Sequence, residues 1–373
     1  MRRISILLLV FLTCFALAAW PQARPQSGNK IITIDVSGAG PSAGQGTQAF
    51  SINDWGAITG WYLDDVFVNH GFLRTPGGTI TTFNAPGAGD ASGSYEGTLP
   101  YMIGPSGAIV GYYEDASQVI HGFLLTPYGT FTTIDAPGAG TGAGQGTGAG
   151  SINSFGEIYG WYVDSNSVNH PYLRSPNGEI TEFNPRGAGN GPTYVCADTG
   201  IDTAGTVCGE YVDPNNVYHG FVRDPYGHIT EFDVRGAGTG SDQGTQPSGI
   251  NAEGAVTGFY IDKKGVNHGF LRGPDGGITK FDCPGAGTGA GQGTLGYTIN
   301  TAGAVTGFYI DSNGAYHGLL RTPDGTLIPF DAPGAGNQSG QGTQPIFINS
   351  LGAVTGYYTD TNNIVHGFLR LPD

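Results

Sequence analysis

Positive charge is scarce in this sequence. Lysine and arginine together number 15, against 30 aspartate and glutamate residues, so the formal net charge is -15. The few cations are spread thinly and form no basic stripe, which argues against a nucleic-acid partner.

Long apolar runs and helical spacing are also lacking. The one long apolar run, residues 4–19, follows two arginines and contains a small-residue cleavage pattern near its end. We interpret residues 1–18 as a secretory signal peptide. A membrane anchor is the alternative, but the run is shorter than the ~20 residues of a spanning helix. Residues 19–29 are expected to be flexible, and the mature chain is predicted to be secreted, extracellular or periplasmic, without membrane contact after cleavage.

Cysteine is rare as well, and Cys14 falls inside the apolar run, which leaves three for the mature chain. Cys196 and Cys208 flank one predicted hairpin, and an oxidising compartment permits a disulfide between them. The register that we infer places the two residues diagonally, which would strain the bridge. A disulfide and two free thiols therefore both stay open, while Cys283 is expected to be unpaired.

The sequence does contain a long repeat. A histidine, usually in His-Gly-Phe and in three copies in His-Gly-Phe-Leu-Arg, recurs at a spacing of 51 residues once and 49 residues five times. A fixed period of this length indicates a repeat architecture. With 67 glycines and 23 prolines, the repeat predicts tight turns between short strands and almost no helix. The histidines are His70, His121, His170, His219, His268, His317 and His366.

Each repeat carries four strand signals separated by turn residues, and a longer glycine-rich connector leads to the next repeat. In the sixth repeat we expect strands near residues 297–300, 304–311, 315–321 and 326–331. Four-stranded meanders joined in this way are typical of β-propeller blades. Each second strand contains a glycine, such as Gly60 or Gly111, which we interpret as a close contact between neighbouring blades.

The two ends of the chain are permuted relative to the repeat. Residues 30–40 match the end of a repeat, and the last repeat stops before its fourth strand. A closed ring explains this arrangement, because closure removes an unpaired edge. We therefore predict an all-β, seven-bladed β-propeller of four-stranded blades over residues 30–373, with residues 30–36 completing the last blade. An open solenoid is the alternative.

The repeats resemble the bacterial extracellular HAF-type repeat family, in which His-Ala-Phe or a similar triplet recurs in exported proteins. Here the triplet is mostly His-Gly-Phe, as at residues 70–72 and 366–368. The resemblance covers nearly all of the mature chain. It implies export and a repeat-built β fold, and it implies no known activity.

An aspartate precedes each of these histidines by six positions. A carboxylate that orients an imidazole occurs in general-base catalysis and in metal shells. A catalytic site needs one copy, however, whereas seven copies suit a scaffold. We interpret the pairs as structural. The aspartates are Asp64, Asp115, Asp164, Asp213, Asp262, Asp311 and Asp360.

Departures from the repeat are better candidates for a ligand site. Arg186 and Arg235 replace a connector proline, Glu210 replaces an aromatic residue, and the segment from Tyr194 to Asp198 replaces a connector end. The two arginines, on adjacent blades and on the connector face, predict a site for a carboxylate or sulfate of an acidic glycan or peptide. Sequence drift and pairing of each arginine with a nearby aspartate are the alternatives.

The sequence predicts an exported, non-catalytic module for binding or structure, with a glycan or an extracellular protein as partner. The alternative is a carbohydrate-active enzyme, a glycoside hydrolase or lyase, which would need paired carboxylates. No catalytic residue, metal ligand or cofactor is predicted. Bound calcium is the alternative, but the connectors hold few carboxylates and calcium takes six to eight oxygens. Aromatic pairs such as Trp61 with Tyr62 and Trp161 with Tyr162 are expected to form blade core.

Overall fold

The structure is a computed structural model that describes residues 30–188, 191–196 and 200–372. It contains 28 β-strands and one short 3₁₀ turn, Arg186–Ala188. The expected all-β fold is therefore confirmed. No helix in the described ranges has the length and apolar character required to cross a membrane.

The strands form repeated four-stranded units, which we number by their histidines from unit 1 (His70) to unit 7 (His366). The first strands are Gly46–Ile52, Gly97–Ile103, Gly146–Ile152, Thr193–Val195, Gly244–Ile250, Gly293–Ile299 and Gly342–Ile348. The second strands are Ile58–Leu63, Ile109–Glu114, Ile158–Val163, Val207–Val212, Val256–Ile261, Val305–Ile310 and Val354–Thr359. The third strands are Asn69–Arg74, Ile120–Leu125, Asn169–Arg174, Tyr218–Arg223, Asn267–Arg272, Tyr316–Arg321 and Val365–Arg370. The fourth strands are Ile80–Phe83, Phe131–Ile134, Ile180–Glu182, Ile229–Phe232, Ile278–Phe281, Leu327–Phe330 and, for unit 7, Ile31–Ile34.

The fourth strand of unit 7 comes from the beginning of the described chain. Ile31–Ile34 pairs antiparallel with Val365–Arg370, from Ile31 opposite Arg370 to Ile34 opposite Gly367. The predicted pairing of this segment with the last unit is confirmed. Every other unit takes its fourth strand from its own stretch of sequence.

The first strands begin earlier than the sequence indicated. In unit 6 the strand starts at Gly293, within the glycine-rich connector, and not near residue 297. Gly293 has a φ of +117°, and a Cβ there would lie 2.0 Å from the Asn267 carbonyl oxygen of unit 5. Only glycine fits this approach of two backbones. The connector ends were read as loop because glycine weakens a strand signal.

The glycines of the second strands were assigned to the wrong neighbour. A Cβ on Gly60 would lie 2.0 Å from the Gln48 carbonyl oxygen, which belongs to the first strand of the same unit. The close approach accompanies a bulge in the first strand, between Ala49 and Ser51. In six units these glycines therefore accommodate a bulge within the unit and do not mark a contact between units.

Asparagines in the turn between the first and second strands join neighbouring units. Asn300 Nδ2 donates to the Asn349 carbonyl oxygen at 3.1 Å, and Asn349 Nδ2 donates to the Asn53 carbonyl oxygen at 3.1 Å. The second bond links unit 7 to unit 1 in the way that the first links unit 6 to unit 7. The other bonds of this kind run from Asn53 to Gly104, from Asn153 to Asp202 and from Asn251 to Asn300.

The phenylalanine of the histidine triplet forms the centre of the core. These side chains are at most 1% exposed, and each contributes roughly 2 kcal/mol or more by leaving water. The repeated triplet is thus explained by packing at its third position. The residues are Phe72, Phe123, Phe221, Phe270 and Phe368.

Candidate functional site

The repeated histidine lies against a tyrosine ring in every unit, and in five units it lies between two carboxylates. In unit 2, His121 Nδ1 is 2.8 Å from Asp135 Oδ1, and its Nε2 is 3.6 Å from Asp115 Oδ2. The imidazole stacks on Tyr113 with ring centroids 5.0 Å apart. The sequence pattern had identified only the first carboxylate. In units 2, 4, 5 and 6 the second stands 14 residues after the histidine, and in unit 7 it lies on the permuted strand, so the repeat contained a signal for it. Its members are Asp35, Asp135, Asp233, Asp282 and Asp331, with Asn84 in unit 1.

The first carboxylate also binds the hairpin that connects the second and third strands. Asp64 Oδ1 accepts hydrogen bonds from the Val66 and Val68 N–H groups at 3.0 and 2.8 Å, while Oδ2 is 3.1 Å from His70 Nε2. Burial acts to raise the pKa of Asp64, but these hydrogen bonds outweigh it and lower the pKa below its ordinary value. In every unit the aspartate stabilises the hairpin between the second and third strands by accepting two backbone hydrogen bonds. Over the described residues, no three His, Cys, Asp or Glu side chains converge as a metal site would require.

Unit 4 departs from the other units at its first strand. Thr193–Val195 is only three residues long, and Pro192 precedes it where the other units have a glycine. Cys196 and Cys208 form a disulfide with Cα atoms 5.7 Å apart. The Cys196 N–H donates to the Cys208 carbonyl oxygen, so the two residues lie opposite each other and the diagonal register inferred from sequence is wrong.

Glu210 lies in unit 4 among tyrosines. It is opposite Tyr194 across the first and second strands, and diagonal to Tyr218 on the third strand. We call these three residues the acid–tyrosine cluster. Among the described residues no hydrogen bond or ion pair reaches the Glu210 carboxyl group, and Tyr194 is 36% exposed. Burial raises the pKa of Glu210 to about 8. The side chain is therefore a neutral acid at pH 7, able both to donate and to accept a hydrogen bond.

A cluster of aromatic rings extends over units 1 to 3, and we call it the aromatic arc. Its members are Phe50, Trp61, Tyr101, Tyr112 and Trp161. Neighbouring ring centroids lie 4.8 Å apart at the Phe50–Trp61 contact and 5.8 Å apart at the Tyr101–Trp161 contact. Phe50 is buried and the other four are partly exposed. The arc thus contains the first member of the Trp61–Tyr62 and Trp161–Tyr162 pairs, whereas Tyr62 and Tyr162 are buried as expected.

The arc ends beside the acid–tyrosine cluster. A Cβ on Gly148 would lie 2.4 Å from the Trp161 ring, so glycine leaves the space that this indole occupies. A Cβ on Gly150 would lie within 3.6 Å of both Trp161 and Val195. Val195 follows Tyr194 on the first strand of unit 4, so the arc ends beside the strand that carries Tyr194. Sequence reasoning identified Tyr194 and Glu210 as departures but missed the proximity of their strand to the tryptophans.

The two arginines have surroundings of opposite charge. Arg186 precedes Gly187, whose N–H donates to Glu231 Oε1 at 3.0 Å. The Arg235 carbonyl oxygen instead accepts from Lys280 Nζ at 3.1 Å. Arg235 and Lys280 line an open cleft of about 620 Å³. Both guanidinium groups are exposed, and neither forms an ion pair within the described ranges. Asp198, the remaining predicted ligand residue, lies outside those ranges.

The connectors and the hairpins between second and third strands lie on one face. The Gly93 N–H, for example, donates to the Val66 carbonyl oxygen at 2.7 Å. The other face consists of short turns, and large apolar side chains project from five of them. These turn tips are Trp55 (72% exposed), Tyr128 (95%), Phe155 (71%), Tyr226 (88%) and Leu351 (60%).

Comparisons with known proteins give a likeness of fold alone. No protein-family model and no curated protein matches the chain. Among solved structures, the BP39L lectin from Burkholderia pseudomallei aligns with a TM-score of 0.56 at 10% identity, over 87% of this chain and 97% of that chain. TolB from Acinetobacter baumannii aligns at 0.44 and 10% identity, over 81% and 76% of the two chains. Aleuria aurantia lectin, described as a six-bladed β-propeller, aligns at 0.42 and 11% identity, over 81% and 94%. The last two TM-scores are too low to carry an argument.

Proposed function

We propose that this protein is an exported, non-catalytic, seven-bladed β-propeller that binds glycans. The observation that carries the proposal is the aromatic arc, which is partly exposed and ends beside the strand of Tyr194, the residue that pairs with the neutral acid Glu210. Ring faces offer apolar surface to the C–H groups of a sugar, and neutral acid and phenol groups can bond its hydroxyls. Pockets that combine aromatic walls with a few polar groups are typical of small-ligand sites.

The closed ring is part of the proposal. Seven units each contribute a histidine cluster, and unit 7 contacts unit 1 through the same asparagine bond and the same strand contact that join successive units. Export, by way of a signal peptide at residues 1–18, agrees with the disulfide in unit 4. We place the chain with the HAF-type repeat proteins on its recurring triplet. The likeness of fold to a solved lectin agrees with a binding role.

A non-catalytic role is favoured over a glycosidase. Hydrolysis of a glycosidic bond uses two carboxyl groups that flank the bond. Burial alone raises the pKa of Glu210, without a contribution from another described carboxylate. The site therefore has one neutral acid and tyrosine hydroxyls, which suit recognition better than bond cleavage.

A glycan array tests the proposed binding. We expect the wild-type protein to bind at least one glycan, and expect Tyr194→Ala and Glu210→Ala to weaken that binding at least tenfold. Gln246→Ala, at the position equivalent to Tyr194 in unit 5, is the matched control and should bind as wild type. Absence of any bound glycan, or equal binding by the three variants, would contradict the proposal.

Deletion of residues 30–36 tests closure of the ring. The deletion removes the strand that pairs with Val365–Arg370 and should cost several kcal/mol of the roughly 5–15 kcal/mol that stabilises a domain. Deletion of residues 19–29 is the control and should leave the melting temperature unchanged.

Export has a separate test. N-terminal sequencing of protein from outside the cytoplasm should find a start near Ala19; an intact Met1 would exclude cleavage.

A further inference from the structure

We infer that the face of short turns is a second binding surface, which takes an uncharged polysaccharide. The turn tips occupy two kinds of turn on that face. Trp55, Phe155 and Leu351 stand in the turns between first and second strands, and Tyr128 and Tyr226 stand in the turns between third and fourth strands. None of them belongs to the aromatic arc or to the acid–tyrosine cluster.

The turns hold these side chains in fixed positions. The Trp55 N–H donates to Asn53 Oδ1 at 3.1 Å, and the Phe155 N–H donates to Asn153 Oδ1 at 3.0 Å. The same asparagines donate to carbonyl oxygens of the next unit, so the turns are joined to the body of the protein. The Tyr226 N–H is bound by Asp224 Oδ1 at 2.9 Å. A rigid backbone reduces the entropy lost when such a side chain meets a ligand.

The fold does not require apolar residues at these tips. In unit 5 the same turn carries Glu253, whose N–H donates to Asn251 Oδ1 at 3.1 Å. In unit 6 it carries Ala302, and the Asn300 side chain still binds the turn backbone. The turn therefore forms equally well with a charged or a small residue. An aromatic side chain that is mostly exposed adds little to the core, so packing does not account for its presence.

The tips occupy one sector of the face. They belong to units 7, 1, 2, 3 and 4, which are consecutive if the ring is closed as proposed. Units 5 and 6 have Glu253 and Asp275, and Ala302 and Asp324, at the corresponding turn positions. Such a one-sided distribution fits a contact surface that extends over part of the ring.

The charge of the turns and the aromatic character of the tips favour one kind of ligand. Carboxylates such as Asp54 and Asp224 lie in the same turns, and the chain has a net charge of -15, which disfavours an anionic membrane or polymer. A protein partner usually covers a continuous patch with an apolar centre, whereas polar turn residues separate these tips. Four of the five tips are aromatic, and ring faces can stack on the C–H faces of successive sugars. These features together fit an uncharged polysaccharide chain.

The test is sedimentation with microcrystalline cellulose, chitin and insoluble xylan. We expect wild type to bind at least one of them, and expect a Trp55→Ser, Phe155→Ser, Tyr226→Ser variant to bind at least tenfold less tightly. Glu253→Ser with Ala302→Ser, at two equivalent tips, is the matched control and should bind as wild type. Thermal melting of the triple variant should match that of wild type, because all three side chains are exposed.

Failure of this inference is distinguishable from failure of the proposed arc site. Tyr194→Ala should still bind the insoluble polysaccharide, whereas the triple variant should still bind the glycan found on the array. The inference is overturned if wild type binds none of the three polymers, or if the triple variant binds as wild type. Binding to phosphatidylglycerol vesicles that depends on the tips, without binding to the polymers, would also overturn it in favour of a membrane surface.

Discussion

Units 4 and 6 share four strands and a histidine cluster but use one position in opposite ways. In unit 6, Phe308 is 7% exposed and packs between Tyr297 and Tyr316, with ring centroids 5.8 and 5.5 Å away. In unit 4 the same position is Glu210. The first strand of unit 6 has seven residues, whereas that of unit 4 has three and is joined to the second strand by a disulfide.

The difference shows which parts of a unit are dispensable. A unit can lose its aromatic packing and more than half of its first strand while its other strands keep their register. The disulfide joins the shortened strand to the second strand directly after Val195, its last residue. A position that serves stability in unit 6 is thereby available for the ligand contact that we propose in unit 4.

Phe308→Glu would give unit 6 the acid of unit 4 without its disulfide or its altered first strand. We expect a loss of about 4 kcal/mol in the free energy of unfolding, because aromatic burial is lost and a carboxyl group enters an apolar site. Urea unfolding at pH 7 measures the loss. Phe308→Leu is the control, with an expected loss of about 1.5 kcal/mol. Equal losses in the two variants would contradict the comparison.

Removal of the disulfide should weaken unit 4 selectively. The bridge closes a short loop, with a sequence separation of 12, for which chain entropy predicts a contribution of about 3 kcal/mol. Cys196→Ala with Cys208→Ala should lower the unfolding free energy by roughly that amount. Cys283→Ala is the control, since Cys283 is buried and free, and it should lose about 1 kcal/mol. If a reducing agent leaves wild-type unfolding unchanged, the bridge does not stabilise unit 4.

Glu210 should make stability depend on pH. Burial raises its folded-state pKa to about 8, so the folded protein holds a proton that the unfolded chain releases near pH 4.5. Stability should therefore fall as pH rises from about 4.5 to about 8, and then level off. Glu210→Gln removes this dependence and should be more stable than wild type by about 2 kcal/mol at pH 8.5, allowing for the partly exposed side chain. Melting curves at pH 4.5 and 8.5 measure it; an equal difference at both pH values would exclude a neutral acid.

The smallest expected effect concerns the turn asparagine, which is Asp202 in unit 4. Asp202 Oδ1 accepts from the Ala204 and Thr206 N–H groups at 2.8 Å, but a carboxylate has no N–H to donate to unit 5. Asp202→Asn should supply that bond and add about 1 kcal/mol. Asn300→Asp, the reverse change in unit 6, should lose a similar amount. Thermal unfolding of both variants measures the two effects. A shift of the melting temperature in the same direction for both variants would refute the explanation.

The repeat made most of the fold predictable. Its period, its turns and the permuted ends predicted four strands per unit and the pairing of residues 30–36 with the last unit. The first strands were placed too late because their initial glycines, such as Gly293, resemble loop sequence. The contact made by Gly60 was misassigned because a bulge within a unit leaves no mark that distinguishes it from contact with a neighbour.

The candidate site was only partly predictable. Tyr194 and Glu210 stood out because the repeat provides a template from which they depart. The arc did not stand out, because its residues conform to the aromatic pattern and its contacts between units join residues 40 to 60 positions apart. The turn tips were not identified from the sequence because the Asn-x-x-Gly pattern is defined by its first and fourth positions. Its third position, which carries Trp55 and Phe155, is left free by the local backbone geometry.

The asparagine bonds have a consequence for how such a chain can change its size. Each asparagine amide donates to a main-chain carbonyl oxygen, a group that every residue type provides. The bond between two units is therefore independent of the side chain at the accepting residue. Gly104 receives its bond without a side chain of its own, as Asp202 does with an altered one. A unit can therefore be duplicated, exchanged or allowed to diverge without a compensating substitution in the neighbouring unit. This modularity permits one unit to diverge in sequence while the others keep the common form.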